Sequence, residues 1–217
     1  MWAEQAIFTS IPRAGRAGYH IVSRSTGLRE AEATALANCS PSHGSLIVDD
    51  ANQTSVNFHS LPTGRIALSR TCLGPAEYSG RGERQVYTHA LVFDASVLRQ
   101  AGNQPIALYR DAMALGYLYY QREPEPSLKP AELGIVHTPL EAEECAARAQ
   151  ALGFDSAFQL SAQLAEGQQV RLRYSGDRIA LAECLLGLLP QDRIAETSFS
   201  TSLQPSAVRP FQLVLVD

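Results

Sequence analysis

Hydrophobic and polar side chains alternate with a period of two in several short stretches of the first part of the chain, the pattern of half-buried strands. Gln5–Ser10 (QAIFTS) alternates and stops at Ile11-Pro12-Arg13. Tyr19–Ser25 (YHIVSRS) follows after Gly15 and Gly18, so these two strands are expected to form a hairpin with a longer loop. Val56–Ser60 (VNFHS), the turn Leu61-Pro62-Thr63-Gly64 and Arg65–Thr71 (RIALSRT) predict a second hairpin. Gln85–Phe93 (QVYTHALVF) is the strongest strand pattern, rich in β-branched and aromatic residues. Between these, Arg29–Asn38 (REAEATALAN) sets Ala, Leu and Glu at helical spacing and is broken by Pro41–Gly44. Ala95–Ala101 and Ile106–Leu115 read as short helices, and Tyr117–Gln121 as a strand or a helix end.

The period changes beyond Arg122–Pro130 (REPEPSLKP), whose three prolines exclude regular structure and make it the expected linker. Leu140–Leu152 is an amphipathic helix closed by Gly153, and Ser156–Ala165 is another. Gln169–Tyr174 (QVRLRY) is a strand, and Asp177–Leu189 a helix with Asp177 as N-cap, ended by Pro190. Ser198–Leu203 and Phe211–Val216 close the chain as strands. Strand, helix, strand in that order predicts a parallel crossover, right-handed if formed. The expected class is therefore α/β (α+β): a mixed, largely antiparallel sheet in a strand-rich first part, 1–121, and a βα-rich second part, 131–217. The two parts either stand apart or pack as one compact unit.

Composition narrows the function classes. With 18 basic and 22 acidic side chains the net charge is −4, which argues against generic nucleic-acid binding and leaves room for a local basic pocket. Cys39, Cys72, Cys145 and Cys184 lie far apart without zinc spacing and are expected to be buried free thiols of a reducing compartment. The opening MWAEQAIFTSIPR has neither the charged leader nor the apolar core of a signal peptide, and no apolar run reaches the roughly 20 residues of a membrane span. A cytoplasmic protein with no membrane association is the expectation. The scattered His20, His43, His59 and His137 show no ligand spacing, so neither a metal site nor a cofactor is expected.

The candidate chemistry concentrates between Leu68 and Asp94. Arg13, Arg24, Arg70 and Arg81 stand at strand ends or in loops beside Gly, Ser or Thr, where guanidinium groups bind carboxylate or phosphate in a forked manner. The plain alternative is pairing with acidic neighbours. Ser79-Gly80-Arg81-Gly82 reads either as a small anion-binding nest of backbone N–H groups or as a turn. The nucleotide motifs of the P-loop and of dinucleotide-binding folds are absent. His89 shares a strand face with Tyr87, while Asp94 lies on the opposite face by parity, and no nucleophile elbow exists. It reads as a histidine hydrogen-bonded within the sheet, or alternatively as a general acid/base. Cys72 follows the strand that holds Arg70, and basic neighbours favour a lowered thiol pKa, but nothing fixes a base beside it.

IFTSIPR…GYHIVSRSTGL, LPTGRIALSRT, EYSGRGERQVYTHALVFD and the closing SFSTSLQPSAVRPFQLVLVD, in this order, resemble the N-terminal domain (second type) of bacterial GTPase-associated proteins, from Gln5 to Val216. That domain usually opens a larger polypeptide encoded near a small GTPase, in systems thought to act in bacterial conflict or defence. The chain stops where such a domain would end, which fits either a fragment or a stand-alone version. The resemblance carries over no catalytic residues. It implies an interaction module, with a GTPase or other protein of the same system as partner. The positions it marks are Arg13, Arg70, Tyr78, Gly80, Arg81 and His89, with Ser200 and Thr201 in the closing block. Joined to the side-chain chemistry, this gives a non-catalytic adaptor or sensor that binds a partner protein or an anionic small ligand through an arginine-aromatic loop face. The alternative is a hydrolase or transferase acting on a phosphorylated or acylated substrate with His89 as general acid/base.

Overall fold

The computed structural model describes residues 1–12, 18–77, 84–134, 136–209 and 211–217. Five long strands form its centre: β1 (Trp2–Ser10), β2 (Tyr19–Ser25), β3 (Thr54–Ser60), β4 (Ile66–Ala76) and β5 (Arg84–Phe93). They lie in the order β2-β1-β5-β4-β3, every neighbour antiparallel. Short strands extend both sides. β6 (Ser127–Leu128) pairs parallel with β2, and β7 (Ala131–Glu132) pairs with the start of β1. Beyond β3 come β9 (Phe199–Ser200), β10 (Leu213–Val216) and β8 (Val170–Arg173), with β10 parallel to both of its neighbours. The described residues thus form one mixed, largely antiparallel sheet of ten strands.

The period-two pattern assigns each strand's side chains to two faces. Val56, Phe58, Ile66, Leu68, Leu91, Phe93, Phe199, Leu213 and Leu215 share one face and enter the main core. Onto it pack α2 (Ala95–Gln100), α3 (Pro105–Ala114), α4 (Ala142–Ala151), α5 (Ala157–Ala165), α6 (Arg178–Gly187) and the short α7 (Gln191–Ile194). Phe58 and Phe199 stack across the β3–β9 pair with ring centroids 5.6 Å apart, and each buried ring of this kind contributes about 1.5–3 kcal/mol. The second face is lined with small residues, Ala6, Ala67 and Ala90, beneath the helix α1 (Glu30–Cys39), whose Ala33 and Leu36 point inward. Alanines there let the helix approach the sheet closely.

Several local expectations hold. Asp177 caps α6, its Oδ1 accepting from Ala180 N at 2.9 Å, and Gly153 follows α4 with φ +89°, a conformation that glycine adopts at little cost. Others are corrected. The proline-rich 122–130 stretch is not wholly irregular. Arg24 N donates to Pro126 O, the Ser23 hydroxyl to Glu125 O, and Ser127–Leu128 joins the sheet edge. Tyr117–Gln121 is neither strand nor helix, and the strand expected at Ser198–Leu203 shrinks to Phe199–Ser200. Leu203 instead forms a single bridge with Leu46. Cys72, Cys145 and Cys184 are buried free thiols, whereas Cys39 is half-buried.

Candidate functional site

Strands β4 and β5 place Arg70 directly opposite His89, and β1 sets Ile7 on the far side of His89. All three share the core-facing side of the sheet, at the level where the apolar core gives way to polar groups. His89 is 1% exposed. Its Nε2 lies 2.9 Å from Gln5 Oε1, while Gln5 Nε2 donates to Lys129 O at 2.7 Å. Because the amide orientation is fixed by Lys129, Oε1 must accept, and the imidazole carries its proton on Nε2. Burial holds the His89 pKa at about 4, with the Tyr119 backbone working against it and the Arg70 charge in the same direction, so the ring is neutral at physiological pH. Its Nδ1 is buried without a hydrogen-bond partner.

Arg70 is half-buried. Its Nη1 donates to Leu118 O at 3.2 Å, and its Nε is buried and unpartnered. Among the described residues no carboxylate lies within ion-pair distance of it, whereas Arg24 is paired with Glu30 at 2.8 Å. The carbonyl that Arg70 meets belongs to a residue with φ +65°, a left-handed conformation uncommon for leucine. The 117–121 segment thereby lies over this end of the sheet. Tyr87 donates to Tyr119 O at 3.3 Å, and its ring meets Tyr120 edge-on at 4.9 Å and His89 at 6.5 Å. The Cys72 thiol is pushed up by burial; Arg70 and Arg84 do act to lower it, but burial outweighs them.

Arg13, Tyr78, Gly80 and Arg81 lie outside the described residues. Ser200 and Thr201 are fully buried and are not part of the Arg70 constellation. Ser200 lies on the opposite face, donating to Asn57 Oδ1 at 2.8 Å, and Thr201 Oγ1 accepts from Val56 N at 2.8 Å. Both fasten β9 to β3.

The family model for GTPase-associated protein 1, N-terminal domain type 2, matches residues 2–132. The chain belongs to this family. The match covers β1 to β7, including Arg70, His89 and the 117–121 segment. The similarity is therefore shorter than the expected span from Gln5 to Val216, and the closing SFSTSLQPSAVRPFQLVLVD block falls outside it. No curated protein and no solved structure matches the chain.

Within this type 2 N-terminal domain, sequence reasoning overlooked a second polar group, just past the end of β4. Glu77, buried there, accepts from Ser10 Oγ at 2.8 Å and lies 3.0 Å from His43 Nε2. His43 Nδ1 is 3.4 Å from Tyr19 OH, which in turn accepts from Val86 N at 3.0 Å. A carboxylate, an imidazole and a phenol thus form a continuous chain from three separate segments. Its one sequence signal is Glu77 two residues before Ser79-Gly80-Arg81-Gly82. The described residues contain no group of three or more His, Cys, Asp or Glu side chains placed to hold a metal ion. Among them, no helix is long and apolar enough to cross a membrane.

Proposed function

We propose that the chain is a non-catalytic adaptor or sensor module of a bacterial GTPase-associated conflict or defence system, acting in the cytoplasm. It binds a GTPase or another protein of that system, or a small anionic ligand, through the face that carries Arg70. One observation carries the reading: a half-buried guanidinium on a rigid strand, opposed by a backbone carbonyl and by no described carboxylate. A cation so placed is available to a carboxylate or phosphate from outside, and the sheet holds it without ordering cost. Arg13, Tyr78, Gly80 and Arg81 belong to the same proposed surface. His89 contributes by orienting Gln5 and by setting a neutral floor beside Arg70, since its burial keeps it from direct contact.

The test is binding of the purified chain to a GTPase encoded beside its gene, loaded in turn with GDP and with a non-hydrolysable GTP analogue. Loss of a desolvated charge contact costs about 2–5 kcal/mol, so Arg70→Ala combined with Arg81→Ala should weaken binding at least tenfold while the melting transition persists. Unchanged affinity refutes the assignment.

A second reading is favoured by the Glu77–His43–Tyr19 chain, which has the orientation of a proton relay, carboxylate to imidazole to hydroxyl. It moves the enzymatic alternative, a hydrolase or transferase, from His89 to His43. Turnover of p-nitrophenyl phosphate or acetate that disappears in His43→Ala would favour it over the adaptor.

A further inference from the structure

On the sheet face opposite Arg70, the C-terminal end of α1, the end of β3 and residues 196–198, 209 and 211 leave a cleft of about 250 Å³. Cys39, His59, Glu196, Ser198, Arg209 and Phe211 line it, and a smaller hollow adjoins it towards Asn57, Ser69 and Thr88. At roughly 30 Å³ per water molecule, the cleft has room for about eight waters, the scale of a small organic molecule.

Two of its side chains are in unusual states. Arg209 is only 9% exposed. Its Nη2 donates to Gln204 O at 3.3 Å, but its Nε is buried without an acceptor. Among the described residues no carboxylate pairs with it, although the other well-buried guanidinium groups, Arg65 and Arg178, face Glu32 and Asp49. An arginine cannot discard its proton, so an unpaired one in a buried setting is strongly unfavourable unless something compensates it. His59 is the second. Both its ring nitrogens are buried and unpartnered, and its ring stands edge-on to Phe211 with centroids 6.0 Å apart. Burial holds its pKa at about 4, which leaves one N–H donor and one acceptor, both unused.

We propose that this cleft binds a small molecule bearing a carboxylate or phosphate, with the oxyanion on Arg209, a hydrogen bond from His59 and an apolar portion against Phe211. The other lining groups are compatible with an anion. Burial raises the Cys39 thiol, with Arg209 opposing, so this wall is neutral. Glu196 stands at the exposed rim with its carboxylate 2.6 Å from Arg193. The site lies on the other face of the sheet from Arg70 and stands or falls independently of the adaptor reading.

The experiment titrates the full chain with inorganic phosphate and, separately, with acetate at constant ionic strength, following the His59 and His89 imidazole resonances. Saturable displacement of the His59 signal, with His89 unmoved, is expected for at least one of the two anions, and the tighter one identifies the acid group. Arg209→Gln should weaken that binding at least tenfold, and His59→Gln should weaken it measurably. A His59 signal that moves without saturating, or equal affinity in Arg209→Gln, overturns the proposal. Should Arg209→Gln fail to fold, Arg209→Lys takes its place, because it keeps the charge and loses the forked donors. Unaltered affinity there overturns the proposal equally.

Discussion

Arg178 is fully buried, and each of its three guanidinium nitrogens is engaged: Nη2 with Asp49 Oδ2 at 2.5 Å, Nη1 with Ser202 Oγ at 3.1 Å, and Nε with Tyr174 O at 2.7 Å. It ties the start of α6 to the 49–52 turn and the 200–203 segment. The two halves of the ion pair are not equivalent. The Asp49 side chain is 22% exposed, and its Oδ1 accepts from Ala51 N, Asn52 N and Asn52 Nδ2 at 2.8 to 3.0 Å. In Arg178→Met the carboxylate keeps those donors and some water, and the new side chain fills the aliphatic volume, so the cost should be about 1–3 kcal/mol. In Asp49→Asn the guanidinium stays charged and sealed with neutral acceptors, the nearest remaining carboxylate oxygen being Asp217 Oδ1 at 3.9 Å. That cost should reach about 3–5 kcal/mol. The double variant should fall close to Arg178→Met alone, because the stranded charge is gone, giving a coupling energy of roughly 3–5 kcal/mol, the whole cost of Asp49→Asn. Urea unfolding of the four proteins at neutral pH measures all of these terms. Equal costs for the two single variants, or additivity in the double, would refute the assignment of an uncompensated buried cation.

His89 contributes stability while it is neutral. Its folded pKa of about 4 lies below the ordinary 6.5, so the unfolded chain takes up a proton first, and stability present above pH 6.5 is lost as the pH falls towards 4. The full difference is on the order of 3 kcal/mol, and His89→Gln should flatten the corresponding slope of unfolding free energy against pH; a slope unchanged by the substitution contradicts a sealed neutral ring. Gly187 ends α6 against α4, and a Cβ there would stand 2.4 Å from Cys145 Sγ, so Gly187→Ala should destabilise by about 1–3 kcal/mol. In a Cys145→Ala background the obstacle is gone and the same change should become neutral or stabilising, as thermal unfolding of the two pairs would show; an equal cost in both backgrounds removes the steric explanation.

The strands and helices with strong local patterns were legible because their signals lie within a few residues. Gln85–Phe93 carries its own alternation and β-branched content, and Asp177 announces the helix that follows it by the hydrogen bond its side chain can make. Where long-range contacts decide, local reading failed. The 122–130 stretch has too many prolines to be regular by itself, yet the open edge of β2 supplies a partner for Ser127–Leu128. Ser198–Leu203 has the composition of a strand, but beyond Ser200 its chain is held by side-chain bonds to Ser55 and by the bridge to Leu46. The site followed the same rule. The register of β4 and β5, which alternation within one strand does not give, brings Arg70 and His89 together, while the Leu118 carbonyl that meets Arg70 lies 48 residues away in a segment with no pattern. Charge pairing is the extreme case. Arg178 and Asp49 are 129 residues apart, and neither differs in local sequence from a solvent-facing residue. Arg209 looks equally ordinary in the sequence. What separates it from Arg178 is that no carboxylate pairs with it among the described residues, a property of the folded surface alone. That asymmetry makes the cleft around it the strongest argument for a ligand in this half of the molecule.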